Sequence, residues 1–243
     1  MIIKDEGYIL SAIKYGEKAL IVTILSMSKG KITGFCSDGM SKKNRGIFLA
    51  GNNIFFESSA RLEEYMKRLF RVELIEPNAV SMMTDFKKLE LMTAVVPIIQ
   101  KVLNENEEVY QLYEMVGKFF GAKDLKEMLM WYAYFEFYAL EYLGLGLSLD
   151  CCAVTGEVDN LYYVSPRTGK AVSKEIGEPY KDKLFKYPQF VVDKSDSPSY
   201  KEIFNVLKMT EYFLKENFFK FHNIKMPEGR HKIWNLFEDE ILD

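Results

Sequence analysis

An α+β protein is predicted, with a small closed β-barrel leading into a mainly helical domain. Three observations predict it: five short, glycine-punctuated strand-like runs before Pro77, a switch in hydrophobic period at that point, and long runs of three-and-four spacing after it. The strand-like runs are GYILSAIK, ALIVTILSM, ITGFC, NNIFFESSA and YMKRLFRVELIE, all between Gly7 and Glu76. β-branched and aromatic residues dominate them, and Gly16, Gly30, Gly34, Gly39 and Gly51 interrupt them. Ser28-Lys29-Gly30-Lys31 has the length and the glycine of a tight hairpin. Five strands that close on themselves leave no exposed edge. In the five-stranded oligonucleotide-binding (OB-fold) barrel, one strand face and its flanking loops form a groove for single strands.

After Pro77 the spacing predicts helices over 89–103, 107–120 and 125–144, and two more near 199–221 and 229–241. WYAYFEFYALEYLG is so densely aromatic that most of its faces must be covered, which makes it a central core helix. Asp196 or Ser197 is placed to cap the helix that follows. Residues 148–192 differ in character. They are rich in Gly, Pro and Ser with short β-prone runs such as LYYV and FVV, and read as an inserted hairpin module. The predicted organisation is a barrel domain over 1–79 and a helical domain over 80–243 that contains the module.

Composition narrows the function. Apolar residues make up 48% of the 243 and aromatics 14%, ample for a packed core. No apolar run approaches the roughly 18 residues of a membrane span, and MIIKDEGYIL places acids where a signal peptide would continue, so a cytoplasmic protein is expected. Cys36, Cys151 and Cys152 are an odd set with two adjacent, a poor disulfide framework. The overall charge is −3, yet residues 1–80 hold 12 bases and 9 acids. The excess lies at 28–46, where Lys29, Lys31, Lys42, Lys43 and Arg45 face a single acid, Asp38. Such bunching suits sequence-independent neutralisation of phosphates. Lys67, Arg68 and Arg71, on the last strand, form a second, smaller basic group, and their alternation equally suits an exposed strand face paired with Glu63 and Glu64. Tyr15, Phe35, Phe48, Phe55 and Tyr65 are the barrel aromatics from which base-stacking faces would come, although strand alternation sends about half of them inward.

An enzymatic reading finds little support. His222 and His231 sit in no pattern with Cys or acids at metal spacing, and Gly144-x-Gly146 follows a helix and lacks the third glycine of a dinucleotide loop. Acidic runs such as LNENEEVY and FEDEILD suit solvated helix faces.

The order of these features resembles the RecO family of recombination mediators. A Glu-Gly precedes a strand in DEGYILSAIK, Tyr15-Gly16-Glu17 precedes the next, and Gly30-Lys31 leads into the basic segment. The aromatic helix then enters a small module, as in WYAYFEFYALEYLGLGLSLDCC. The resemblance implies an OB-fold barrel that binds single- and double-stranded DNA and anneals complementary strands. It also implies partners: RecR, the RecA recombinase that the two help to load, and the acidic, apolar-ended tail of the single-stranded-DNA-binding protein. Lys101, Lys118, Lys123 and Lys126 are the bases on the predicted helices that would rim a pocket for that tail. The family's module is often a zinc ribbon. Here Cys151 and Cys152 have no second pair, and RTGKAVSKE supplies Gly169, Lys170, Ala171 and Ser173 instead, so a module without zinc and a protein without cofactor are expected. The family often carries further bases near 37–40, where this chain has Ser37, Asp38, Gly39 and Met40. The contrasting reading is an interaction scaffold whose helical domain works without direct DNA contact.

Overall fold

The computed structural model describes residues 2–59, 66–194 and 197–242; Tyr65, Glu63, Glu64 and Asp196 lie outside them. Five strands come first: β1 (Ile2–Tyr15), β2 (Ala19–Ser26), β3 (Gly30–Cys36), β4 (Asn53–Ser59) and β5 (Lys67–Glu76). They close an OB-like barrel in the order β1-β2-β3-β5-β4, with β4 returning to β1. Every neighbouring pair is antiparallel except β3 and β5. The two-residue period decides which side chains go inward. On β3, Ile32, Gly34 and Cys36 are buried, while Lys31, Thr33 and Phe35 alternate on the outer face. The core gathers Ile9, Val22, Ile24, Ile32, Ile54, Phe56 and Leu69, and the β3–β4 connection adds Phe48. Burying one such side chain stabilises by about 1.5–3 kcal/mol.

At the start of β1, Asp5 is buried yet fully engaged. It accepts hydrogen bonds from the Ser26 hydroxyl and, at 3.0 and 2.9 Å, from the Ser28 N–H and hydroxyl, which ties β1 to the β2–β3 turn. The barrel shares a compact unit, residues 1–125 and 227–236, with α1 (Asn78–Met83), α2 (Phe86–Val102) and α3 (Tyr110–Phe120). Sequence spacing missed α1, which is only six residues long, and placed the start of α2 three residues late. The start is set by Asp85, whose carboxylate accepts from the N–H groups of Lys87 and Lys88. Tyr8 packs its ring 5.2 Å from that of Tyr113 and 5.8 Å from that of Phe120, and burial pushes its phenol up to about 12. Gly117 permits this approach, because a Cβ there would lie 2.6 Å from the Tyr8 hydroxyl oxygen.

The second unit comprises residues 126–226 and 237–243. It holds nearly all of α4 (Leu125–Tyr142), followed by the module strands β6 (Leu161–Val164) and β7 (Ala171–Ser173). Next come α5 (Lys174–Gly177), a 3-10 turn (Glu178–Lys183) and β8 (Phe185–Lys186), and then α6 (Gln189–Val192), α7 (Tyr200–Phe213) and a π-helical turn (Leu214–Phe219). α4 is buried along its length, and its Glu136, fully enclosed, accepts hydrogen bonds from Tyr132 and, at 2.6 Å, from Thr210. Three local expectations change. FVV is helical in the single turn α6, where Phe190 and Val191 are buried and Phe190 packs on Tyr134. α7 is capped by Ser199 in a reciprocal box with Glu202, not by Ser197. The stretch 229–241 is two helices, α8 (Gly229–Leu236) and α9 (Glu238–Leu242), separated at the fully buried Phe237. α8 falls in the first unit and Phe237 in the second.

The module is a three-stranded sheet in the order β7-β6-β8 with a small core of Cys152, Tyr163 and Val172, against which Leu161, Ile176 and Leu184 pack. Zinc would need four thiolate, imidazole or carboxylate ligands in this space. The groups that hydrogen-bond to the Cys152 sulfur come from Thr155 and Ser173, and the side chains clustered with it are aromatic or aliphatic, so this donor set does not fit the ion. The sulfur is held by hydrogen bonds instead, and accepts from the Ser173 N–H at 3.4 Å. Burial alone would push the Cys152 thiol up, but the hydrogen bonds from Thr155 and Ser173 outweigh it and bring it down to about 6.

Two predictions follow from this packing. Gly30 has φ +62° and a Cβ there would sit 1.7 Å from the Glu107 carbonyl oxygen, so Gly30→Ala is expected to destabilise by about 3 kcal/mol or more, read as a shift in thermal or denaturant midpoint. The Cys152 thiol titrates lower folded than unfolded, so its contribution is fully present above the ordinary thiol range and fades as pH falls towards about 6. The stability gap between the native protein and Cys152→Ala should therefore widen from pH 6 to pH 9 in denaturant titrations.

Candidate nucleic-acid interface

The basic stretch 28–46 does not form one patch, because β3 runs through it and separates its two ends by about 20 Å of extended chain. At the first end, Lys29 is half-buried in the β2–β3 turn, while Lys31 is drawn onto the end of α2. The Lys31 ammonium donates to the Gln100 carbonyl at 2.6 Å, one of the last-turn carbonyls of that helix, and burial pushes its pKa down. Neighbouring contacts reinforce this docking. The Thr33 hydroxyl donates to Glu105 at 2.7 Å, and the Asn106 N–H donates to the Lys31 carbonyl at 2.8 Å.

At the other end, residues 37–52 form a turn-rich connection whose charged side chains point out because its polar backbone is bonded inward. Asn44, buried between Lys43 and Arg45, donates its amide to the Asp38 carboxylate at 3.0 Å. The N–H groups of Ser41 and Arg45 bond to the carbonyls of Asp38 and Ser41. Asn52 secures the base of the loop. Its amide donates to the carbonyls of Gly46 and Ile47 at 3.0 and 3.1 Å, and its side-chain oxygen accepts from the Ala79 N–H at 3.0 Å. Phe48 then sits in the barrel core, so the segment cannot swing away without emptying it. Lys42, Lys43 and Arg45 are left exposed, with no ion-pair partner among the described residues.

The loop also lies against the β1–β2 turn, where the Met40 N–H donates to the Lys18 carbonyl at 2.9 Å. Lys14 and Lys18 are exposed there and join the cluster, although sequence reading passed over them because they are isolated in the chain. Asp38 was also missed as a functional residue. Its carboxylate takes the Asn44 amide and, at 3.4 Å, the Cys36 thiol, whose pKa burial pushes up to about 11.

The second basic group is divided by alternation on β5. Lys67 is only 2% exposed, with the inward parity of Leu69, and so offers no surface charge. Arg68 is exposed and pairs in register with Phe35. Arg71 is committed to acids, with its guanidinium 2.8 Å from Glu73 and 3.1 Å from Glu57, and it lies 5.7 Å over the Phe55 ring. Of the barrel aromatics, Phe48 is core and Phe55 is covered by Arg71, while Tyr15 and Phe35 face outward in edge contact at 5.9 Å.

The four helical lysines are also divided, Lys101, Lys118 and Lys123 in the first unit and Lys126 in the second. None of them lines either of two grooves. One, of about 590 Å³ between α2 and α8, includes Phe86, Ala94, Lys232 and Ile233. The other, of about 350 Å³ beside α7, includes Tyr162, Lys186, Phe190 and Lys201. His222 packs on Phe218 at 4.9 Å, and no cluster of three or more His, Cys, Asp or Glu suited to a metal occurs among the described residues. Among the same residues, no helix is long and apolar enough to cross a membrane.

Asn52→Ala should cost about 2 kcal/mol, since it strips partners from the buried Ala79 N–H and from two part-buried carbonyls. Hydrogen exchange should accelerate across 38–48 in the variant while β2 stays protected.

Comparison with known proteins agrees with this architecture. Two family models match, described as Recombination protein O N terminal over residues 1–78 and Recombination protein O C terminal over 83–223. A Bartonella tribocorum protein named DNA repair protein RecO is 34% identical over 240 residues, which is 97% of this chain and 95% of that protein. A Wolbachia pipientis protein of the same name is 35% identical over 241 residues, 96% and 99% of the two chains, and one from Rickettsia canadensis is 32% identical over 230 residues. With both domains matched and its relatives aligned over nearly their whole length, this chain belongs to the RecO family of DNA repair proteins.

Proposed function

We propose that this chain is a non-enzymatic, cytoplasmic DNA-binding mediator of recombinational repair. One observation carries the reading. Lys42, Lys43 and Arg45 are gathered with Lys14 and Lys18 beside the β1–β2 turn of an OB-like barrel, and a network of buried amides holds their loop in place. Ammonium and guanidinium groups displayed on a fixed loop neutralise phosphates whatever the base sequence, which suits binding of both single- and double-stranded DNA. A surface that shields two phosphate backbones at once lowers the repulsion opposing their pairing, and annealing then proceeds without any bond being made or broken in the protein.

In this reading residues 1–79 are the DNA-binding part and residues 80–243 serve partners: RecR, with which RecA is loaded, and the tail of the single-stranded-DNA-binding protein. The lysine-bearing grooves support partner binding, since each joins apolar walls to a base, as a short acidic segment with an apolar end would require.

Fluorescence anisotropy with a labelled single strand tests the reading. Affinity should fall steeply with salt, and a Lys42, Lys43 and Arg45 triple-alanine variant should lower the log–log salt slope by about 2, at roughly 0.7 per phosphate contact on single strands. Lys31→Ala should change stability and leave that slope alone. An intact protein that binds no DNA at low salt would leave the scaffold reading in its place.

A further inference from the structure

The outer face of β1, β2 and β3 is covered at one end and open at the other. At the β2–β3 turn, Lys31 and Thr33 are closed over by Gln100, Glu105 and Asn106. At the opposite end Ile13, Ile21, Phe35 and Arg68 form one cross-strand row by register, and Tyr15 stands beside it on the same face. Among the described residues of the first unit, no hydrogen bond or ion pair closes over Ile13 or Tyr15 at this end. Ile13 remains 64% exposed and Tyr15 59% exposed, even with the Tyr15 ring edge-on to Phe35. Large apolar side chains on a strand's outer face meet water at a cost, and two rings side by side at the rim of a cation cluster are an uncommon use of exposed surface.

We infer that Tyr15 and Phe35 form a base-binding platform that selects unpaired nucleic acid, distinct in role from the loop cations that hold any phosphate backbone. This rests on the DNA-binding reading above and assigns to two residues the discrimination between single strand and duplex. Cations stand beside these rings: Arg68 pairs in register with Phe35, and Lys18, next but two to Tyr15, lies where the loop carrying Lys42, Lys43 and Arg45 meets the β1–β2 turn. Glu17 and Asp38 are the exposed acids at this end, and the Asp38 carboxylate is engaged by the Asn44 amide and the Cys36 thiol. Unpaired bases have free faces that stack on aromatic rings whatever their identity, while bases in a duplex already stack on one another.

The test compares anisotropy of a labelled oligothymidine and a duplex of equal length for the native protein, Tyr15→Ala, Phe35→Leu, the double variant and Tyr15→Phe. The exposed position of Tyr15 and the retained bulk of leucine keep the barrel folded. The platform predicts that Tyr15→Ala weakens single-strand binding at least about fivefold, with an unchanged salt slope. Duplex binding should stay within twofold, and Tyr15→Phe should behave as native because the ring and not the hydroxyl is used. Equal losses on single strand and duplex would overturn the inference, as would native single-strand affinity in the double variant, and both outcomes would leave the DNA-binding reading standing. Absence of binding to either nucleic acid by the native protein would remove both.

Discussion

Three residue pairs close the barrel, and most of the interface depends on them. Gly34 with Lys67, Phe35 with Arg68 and Cys36 with Leu69 are the whole of the parallel contact between β3 and β5. The strands meet because Gly34 has no side chain; a Cβ there would lie 2.9 Å from Leu69. Once that register is set, the two-residue period leaves no freedom. Lys67 and Leu69 turn inward, Arg68 turns out beside Phe35, and Cys36 delivers the chain into the connection that carries Lys42, Lys43 and Arg45. A slip of one residue would bury Arg68 and expose Lys67, and would separate the aromatic ring from its neighbouring guanidinium.

The distribution of charge illustrates how folding reassigns residues that look alike in a sequence. Lys31 and Lys42 belong to the same basic run, yet one neutralises the carbonyl end of a helix and the other remains in solvent. Arg68 and Arg71 lie three apart on one strand, yet one has Phe35 as its cross-strand neighbour and the other is ion-paired with Glu57 and Glu73. Lys14 and Lys18, unremarked as isolated lysines, become part of the cluster because the Met40–Lys18 backbone bond brings the loop to them.

The barrel was legible because its signals are local. β-branched runs, alternation and glycine at forced turns identified all five strands, and three-and-four spacing identified α2, α3 and α4. What escaped depended on contacts distant in sequence. The helical identity of FVV and the break at Phe237 are set by what each segment packs against, and α1 is too short to establish a period. The candidate site was half legible. Bunching of bases drew attention to the right region, but only closure of the sheet decides which of them reach solvent. The anchors Asn44 and Asn52 carry no signal at all in a sequence, since buried and exposed asparagines look the same.

The single sulfur at the centre of the module gives its folding a particular independence. In ribbons clasped by zinc, binding of the ion supplies much of the folding free energy, and the folded population rises and falls with the metal supply. Here Cys152 packs in a small core with Tyr163 and Val172, and the hydroxyl and N–H of Ser173 bond to its sulfur. The packing and hydrogen bonds around Cys152 act from within the chain, so their strength follows the pH that sets the charge on this sulfur.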